Sequence, residues 1–171
     1  MDVHFEAEKI LTDLQFDFVT FTLDGFLRFV GEAKGREIIA IPWDNMPPAL
    51  FGAWISDGDK PQEYIFYRSN ASIVHQIHIQ LHEVSHFLFG HPTLQINRQF
   101  IAEVIAGTAS LPFADLPQLR SPKRTNFDVQ AETLANLIQE RVIRASRIDR
   151  LIHDTSPEEK LANFLRKMSL P

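Results

Sequence analysis

Two histidines four residues apart enclose a glutamate in the run His82-Glu83-Val84-Ser85-His86, and the chain's chemistry concentrates there. Residues four apart on an α-helix share a face, about 6 Å apart along the axis, so both imidazoles can bind one divalent ion. Glu83 leaves the same helix about 100° round from His82, where its carboxylate can reach water near that ion without ligating it. Such a pattern serves hydrolysis, with Zn2+ as the expected cofactor. Glu83 is the expected catalytic base, taking a proton from water and later returning it to a leaving amine. The bland alternative is a pair of half-buried histidines on an amphipathic helix.

A catalytic zinc needs a third protein ligand and one open position. His91 is excluded as the third histidine of an HExxHxxGxxH motif, because Gly90 and His91 stand four and five residues beyond His86 instead of three and six. Asp128 and Glu132 lie 42 and 46 residues beyond His86, four apart on a later helix. One of these two carboxylates could bind zinc while the other hydrogen-bonds a ligand histidine and fixes its tautomer. Both could instead be surface acids at a helix start, where negative charge is favourable. His75 and His78 precede the motif at helical spacing, and with Tyr67 on the strand before it they are candidate contacts for substrate or an oxyanion. Packing of the two histidines and strand propensity of the tyrosine are the plainer readings.

The elements that must position these groups follow from periodicity and punctuation. Apolar positions Phe5, Ile10, Leu11, Leu14 and Phe18 predict an N-terminal helix, and a second is expected from Leu23 to Ala33, ending at Gly35. Residues 36–41, 52–56 and 63–68 read as strands, the last two pairing as a hairpin across Asp57-Gly58-Asp59. The motif helix is expected from Ile73 to Phe89, with capping candidates at 69–72 and a stop at Gly90. Further helices are expected over Arg98–Ala106, Asp128–Arg144 and 155–168, with a proline-rich loop over 107–127 that is a candidate lid. The fold class is therefore α+β, a small three-stranded sheet packed against helices, in one domain over residues 1–171 with its core at about 20–145.

Composition narrows the setting. The 171 residues carry 17 basic and 22 acidic groups, a net charge of −5, which argues against direct nucleic-acid binding. The charge is uneven: residues 1–85 hold 6 basic and 13 acidic groups, leaving 11 and 9 for the rest. Arg141, Arg144, Arg147 and Arg150 drift round their helix by about 60° per step and make no single phosphate-reading face. With no cysteine, disulfides and thiolate ligation are excluded. No membrane span or secretory leader is expected, and the expected location is cytoplasmic.

Taken together, these residues resemble the ImmA/IrrE family of metallo-endopeptidases. The resemblance rests on REIIAIPW, GAWIS, YIFYRSN and HIQLHEVSHFLFGH in that order, then DVQAETLANLI downstream. It spans roughly residues 20–145 and is nearest to versions from actinobacteria and their mobile elements. It implies a zincin-like fold, zinc on His82 and His86 with a carboxylate from the later helix, and Glu83 as base. The family's usual Glu ligand falls on Asp128 and its usual Asp/Asn on Glu132, so the shorter acid occupies the ligand position. The implied function is site-specific cleavage of a partner repressor or antitoxin of helix-turn-helix type, encoded next door, with a role in gene regulation. The alternative is a toxin or regulatory binding protein of a two-gene toxin–antitoxin module, its metal site structural or degenerate.

Overall fold

The computed structural model describes residues 2–44, 46–48, 50–110 and 125–153. The chain begins with α1 (Val3–Leu14), capped by the Asp2 side chain, and a 3-10 turn (Phe18–Thr20) leads to α2 (Leu23–Lys34). Strands β1 (Glu37–Trp43), β2 (Gly52–Asp57) and β3 (Gln62–Arg68) follow. Then come α3 (Ile73–Phe89), β4 (Leu94–Ile96), α4 (Arg98–Ile105) and the long α5 (Asn126–His153). This is an α+β arrangement. Among the described residues no helix is long and apolar enough to cross a membrane.

The sheet is mixed and has four strands in the order β1-β3-β2-β4, one more than the sequence pattern predicts. β2 and β3 form the expected antiparallel hairpin, with Trp54 opposite Ile65. Its turn is held by the Asp57 carboxylate, which accepts from the backbone N–H groups of Asp59 and Lys60. β1 runs parallel to β3, and β4 parallel to β2. β1 continues through Pro42 where the pattern predicts a stop. Among the described residues it pairs only with β3, at the sheet's edge, where a residue lacking an N–H is tolerated.

Alternation along the hairpin builds two cores. Tyr64 and Phe66 point to one sheet face and pack with Ile55, Ile101 and Val104, the last two from α4. Ile65 points to the other face, where Leu81 and Val84 of α3 meet Leu134 and Ile138 of α5 and Phe26 and Val30 of α2. The motif helix is thus covered by the sheet on one side and by α5 on the other. A network inside the sheet secures the hairpin: Trp54 Nε1 donates to Glu63 Oε2 at 2.6 Å, Ser56 Oγ donates to its Oε1, and Arg36 pairs with the same carboxylate. A buried carboxylate requires such compensation.

α5 begins two residues earlier and ends nine later than the expected Asp128–Arg144 helix. Of its arginines, Arg141 is half-buried and pairs with Glu8 of α1, while Arg144 is exposed and pairs with Glu140 on the same helix. The expected helix over 155–168 and most of the 107–127 loop lie outside the described residues. At the described ends of that loop, Gly107 follows α4, and Asn126 and Phe127 already belong to α5.

Candidate metal centre

α3 aims its chemistry in two directions because two layers cover it. Ser72 caps its start by accepting from the His75 backbone N–H. Gly90 ends it in the left-handed conformation, at φ 70°. Between these caps, His82 and His86 face α5, and Glu83 faces the sheet.

One nitrogen of His82, one nitrogen of His86 and one carboxylate oxygen of Asp128 lie within 4.8 Å of one another. The two Nε2 atoms are 3.1 Å apart, and His86 Nε2 is 3.8 Å from Asp128 Oδ1. Tetrahedral zinc with Zn–N near 2.0–2.1 Å sets two ligand nitrogens about 3.3 Å apart, so the separation suits one shared ion. The donor set fits as well: burial lowers the pKa of both rings, that of His86 to about 3, which favours the neutral form that ligates.

The third donor is locked by a helix cap. Thr125 precedes α5, and its backbone N–H and Oγ1 each lie 2.8 Å from Asp128 Oδ2. The Asp128 N–H donates back to Thr125 Oγ1 at 3.2 Å. This reciprocal arrangement is a capping box with Asp in place of Glu. It occupies Oδ2 and turns Oδ1 toward His86. The shorter side chain therefore reaches the site because it sits in the first turn of α5, next to the backbone that orients it.

Glu132 is drawn into a different role. Its Oε2 lies 3.3 Å from His82 Nδ1 and 3.2 Å from His78 Nε2. A carboxylate on Nδ1 holds the proton there and leaves Nε2 free to face His86 and Asp128. Burial raises the Glu132 pKa, but the neighbouring His78 and His82 outweigh it and the net shift is downward. Of the two acids four residues apart, Asp128 completes the donor triad and Glu132 orients His82.

Glu83 is 5 % exposed and lines the same cleft as His78, His82 and Asp128. Desolvation pushes its pKa up to about 8, against the Trp54 backbone, which favours the charged form. Its Oε2 is buried without a hydrogen-bond partner. A buried, unsatisfied carboxyl oxygen costs about 1–3 kcal/mol and is kept where something else calls for it. Gly52 of β2 makes room for this side chain: a Cβ there would sit 2.5 Å from Ile79 Cγ2 and 2.7 Å from Glu83 Oε1.

The cleft, about 260 Å3, is walled on its apolar side by Leu50, Phe51 and Ile79, and His75 and His78 line it as well. Phe51 is 49 % exposed, with its ring 5.2 Å from that of His75. Tyr67 is not among the lining residues. It is half-buried in β3, where it pairs with Gly52 and Pro42.

His91 and Gln130 were not expected at the centre. His91 Nδ1 lies 2.8 Å from His86 Nδ1, and its Nε2 lies 3.1 Å from Gln130 Oε1. The fold-back at Gly90 places it there, since the His91 N–H bonds to the His86 carbonyl around the helix end. Phe89 stacks on its ring at 5.3 Å, and Phe127 packs at 4.6 Å. Gly-His directly after a helix carrying HExxH is the signal that points to it. Comparison of the chain with family models, with curated proteins and with solved structures returns no match.

Proposed function

We propose that this chain is a zinc-dependent endopeptidase of zincin-like fold. The supporting observation is the convergence of His82, His86 and Asp128 beside a buried Glu83 with an unsatisfied oxygen, with His82, Glu83 and Asp128 lining one open cleft. Manganese or iron would suit the same donors. A divalent ion in this centre supplies a Lewis acid for a carbonyl oxygen and for water. Glu83 Oε2 accepts the proton of the attacking water and delivers it to the departing nitrogen. In the metal-free fold, desolvation holds this carboxyl's proton affinity above that of an ordinary carboxylate. His75, on the cleft wall, is our candidate donor to substrate oxygen; His78 lines the wall too, but Glu132 and Gln139 engage both of its ring nitrogens. The cleft's apolar wall suits an unfolded or extended peptide segment.

The substrate we propose, from the resemblance in sequence, is a helix-turn-helix regulator encoded beside this protein. The test incubates the purified zinc-loaded protein with that regulator and reads fragments by mass spectrometry. Discrete fragments are expected from the wild type. The Glu83→Gln variant should bind zinc and lose cleavage by about a thousandfold or more. A stable complex without fragments would overturn the peptidase reading in favour of a binding protein, and undiminished cleavage by Glu83→Gln would overturn the role of Glu83.

A further inference from the structure

The two ligand histidines are oriented by different devices. Nδ1 of His82 meets a carboxylate directly, at Glu132. Nδ1 of His86 meets another imidazole, His91, whose far nitrogen meets Gln130 Oε1, and Gln130 Nε2 in turn lies 3.0 Å from Glu6 Oε2 of α1. This second chain joins the end of α3, the second turn of α5 and the N-terminal helix.

We propose that Glu6, Gln130 and His91 form a polarised hydrogen-bond relay that fixes the tautomer of His86 and thereby sets metal affinity. Its direction follows from the terminal group. A carboxylate only accepts, so the Gln130 amide must present NH2 to Glu6 and its carbonyl oxygen to His91. That oxygen requires a proton on His91 Nε2, and the neutral ring then offers its Nδ1 lone pair to His86. His86 must donate from Nδ1, which leaves its Nε2 lone pair facing His82 and Asp128. Reversing the chain would set two oxygen acceptors against each other at Glu6. It would also put the His86 proton on Nε2, against His82 Nε2 at 3.1 Å and where a metal donor is needed, so the relay and that contact compete for the proton in the metal-free protein. Glu6 thus acts on the centre through two intervening groups, Gln130 and His91. Both ligand rings end on a carboxylate, Glu132 for one and Glu6 for the other. His91, Gln130 and Glu6 are positioning residues.

The inference rests on His82, His86 and Asp128 being metal ligands, and not on peptidase activity, so its test reads neither substrate nor cleavage. Long-range 1H–15N correlation spectra of the metal-free protein report which imidazole nitrogen carries the proton. The expected result is Nδ1–H for His86 in the wild type and a mixture of both tautomers in Glu6→Gln, whose terminal amide permits either direction. Zinc affinity, read by chelator competition, should fall about 10- to 100-fold in His91→Leu. It should fall less in Glu6→Gln and Gln130→Leu, and recover largely in His91→Asn, which keeps an acceptor near the Nδ1 position. Glu6 is only half-buried on α1, so its variant folds even if His91→Leu does not. A wild-type His86 carrying its proton on Nε2, or a Glu6→Gln spectrum and zinc affinity equal to wild type, overturns the relay. If the wild type takes up no divalent ion, the metal reading falls, and the spectra still decide the tautomer.

Discussion

Glu83 and Gly52 are one device divided between two elements. The Glu83 carboxyl can occupy its place against β2 only because position 52 has no side chain: a Cβ would meet Ile79 and Glu83 at 2.5 and 2.7 Å, contacts that must be relieved by movement. Gly52→Ala should therefore displace the carboxyl, reducing cleavage by at least about tenfold with zinc affinity nearly intact, which a kcat and a metal titration separate. The same burial has a consequence for stability. The Glu83 pKa rises from 4.5 in the unfolded chain to about 8 in the metal-free fold, so the fold binds the extra proton between those values. Its contribution is complete below pH 4.5 and is lost as pH rises through 8, with a slope approaching 1.4 kcal/mol per pH unit between. Gln at this position does not titrate. Metal-free Glu83→Gln should melt above metal-free wild type at pH 8, and the gap should shrink toward pH 5 in calorimetry.

At the scale of elements, the caps of α3 and α5 align the donors. Thr125 is both the N-cap of α5 and the clamp on Asp128 Oδ2. Thr125→Ala should cost about 1 kcal/mol in denaturant titration and weaken zinc binding several-fold, and Thr125→Ser should restore both. The cap also marks where sequence reasoning reached its limit. His82, Glu83 and His86 were legible because one helix carries them, and helical geometry alone sets their spacing. The motif helix was legible in extent, with its start left among four capping candidates at 69–72, of which Ser72 is the cap, and its stop at Gly90. The choice between Asp128 and Glu132 was not, because both share a face and differ in how α5 starts relative to α3. His91 could be excluded from one zinc pattern by spacing, but its contact with His86 depends on the fold-back after Gly90 and on Gln130 across the site. Strand β4 was missed for a similar reason. Three residues carry no readable alternation, and only the edge of β2 makes Leu94–Ile96 a strand.

For the whole molecule, the centre is a junction more than a foundation. Both cores close without it: Ile65, Leu81, Val84, Leu134 and Ile138 fill one side of the sheet, and Ile55, Phe66, Ile101 and Val104 the other. Metal removal should therefore leave the secondary structure in place, unlike small domains whose zinc supplies the folding energy. An ion held by His82, His86 and Asp128 would nevertheless tie α3 to α5, and Gln130 and Glu6 connect the N-terminal helix to the same place. Its stabilisation follows mass action, about 2.7 kcal/mol at a free concentration one hundred times the dissociation constant. For a chain of 171 residues that corresponds to a melting shift of roughly 5–10 °C. Chelation should lower the melting temperature by this amount with an unchanged far-ultraviolet circular dichroism spectrum at 25 °C. Asp128→Ala, lacking a donor, should show little response to chelator. Loss of helical signal on chelation would place the metal among the forces that hold the fold, and an Asp128→Ala protein that still responds like wild type would remove Asp128 from the centre.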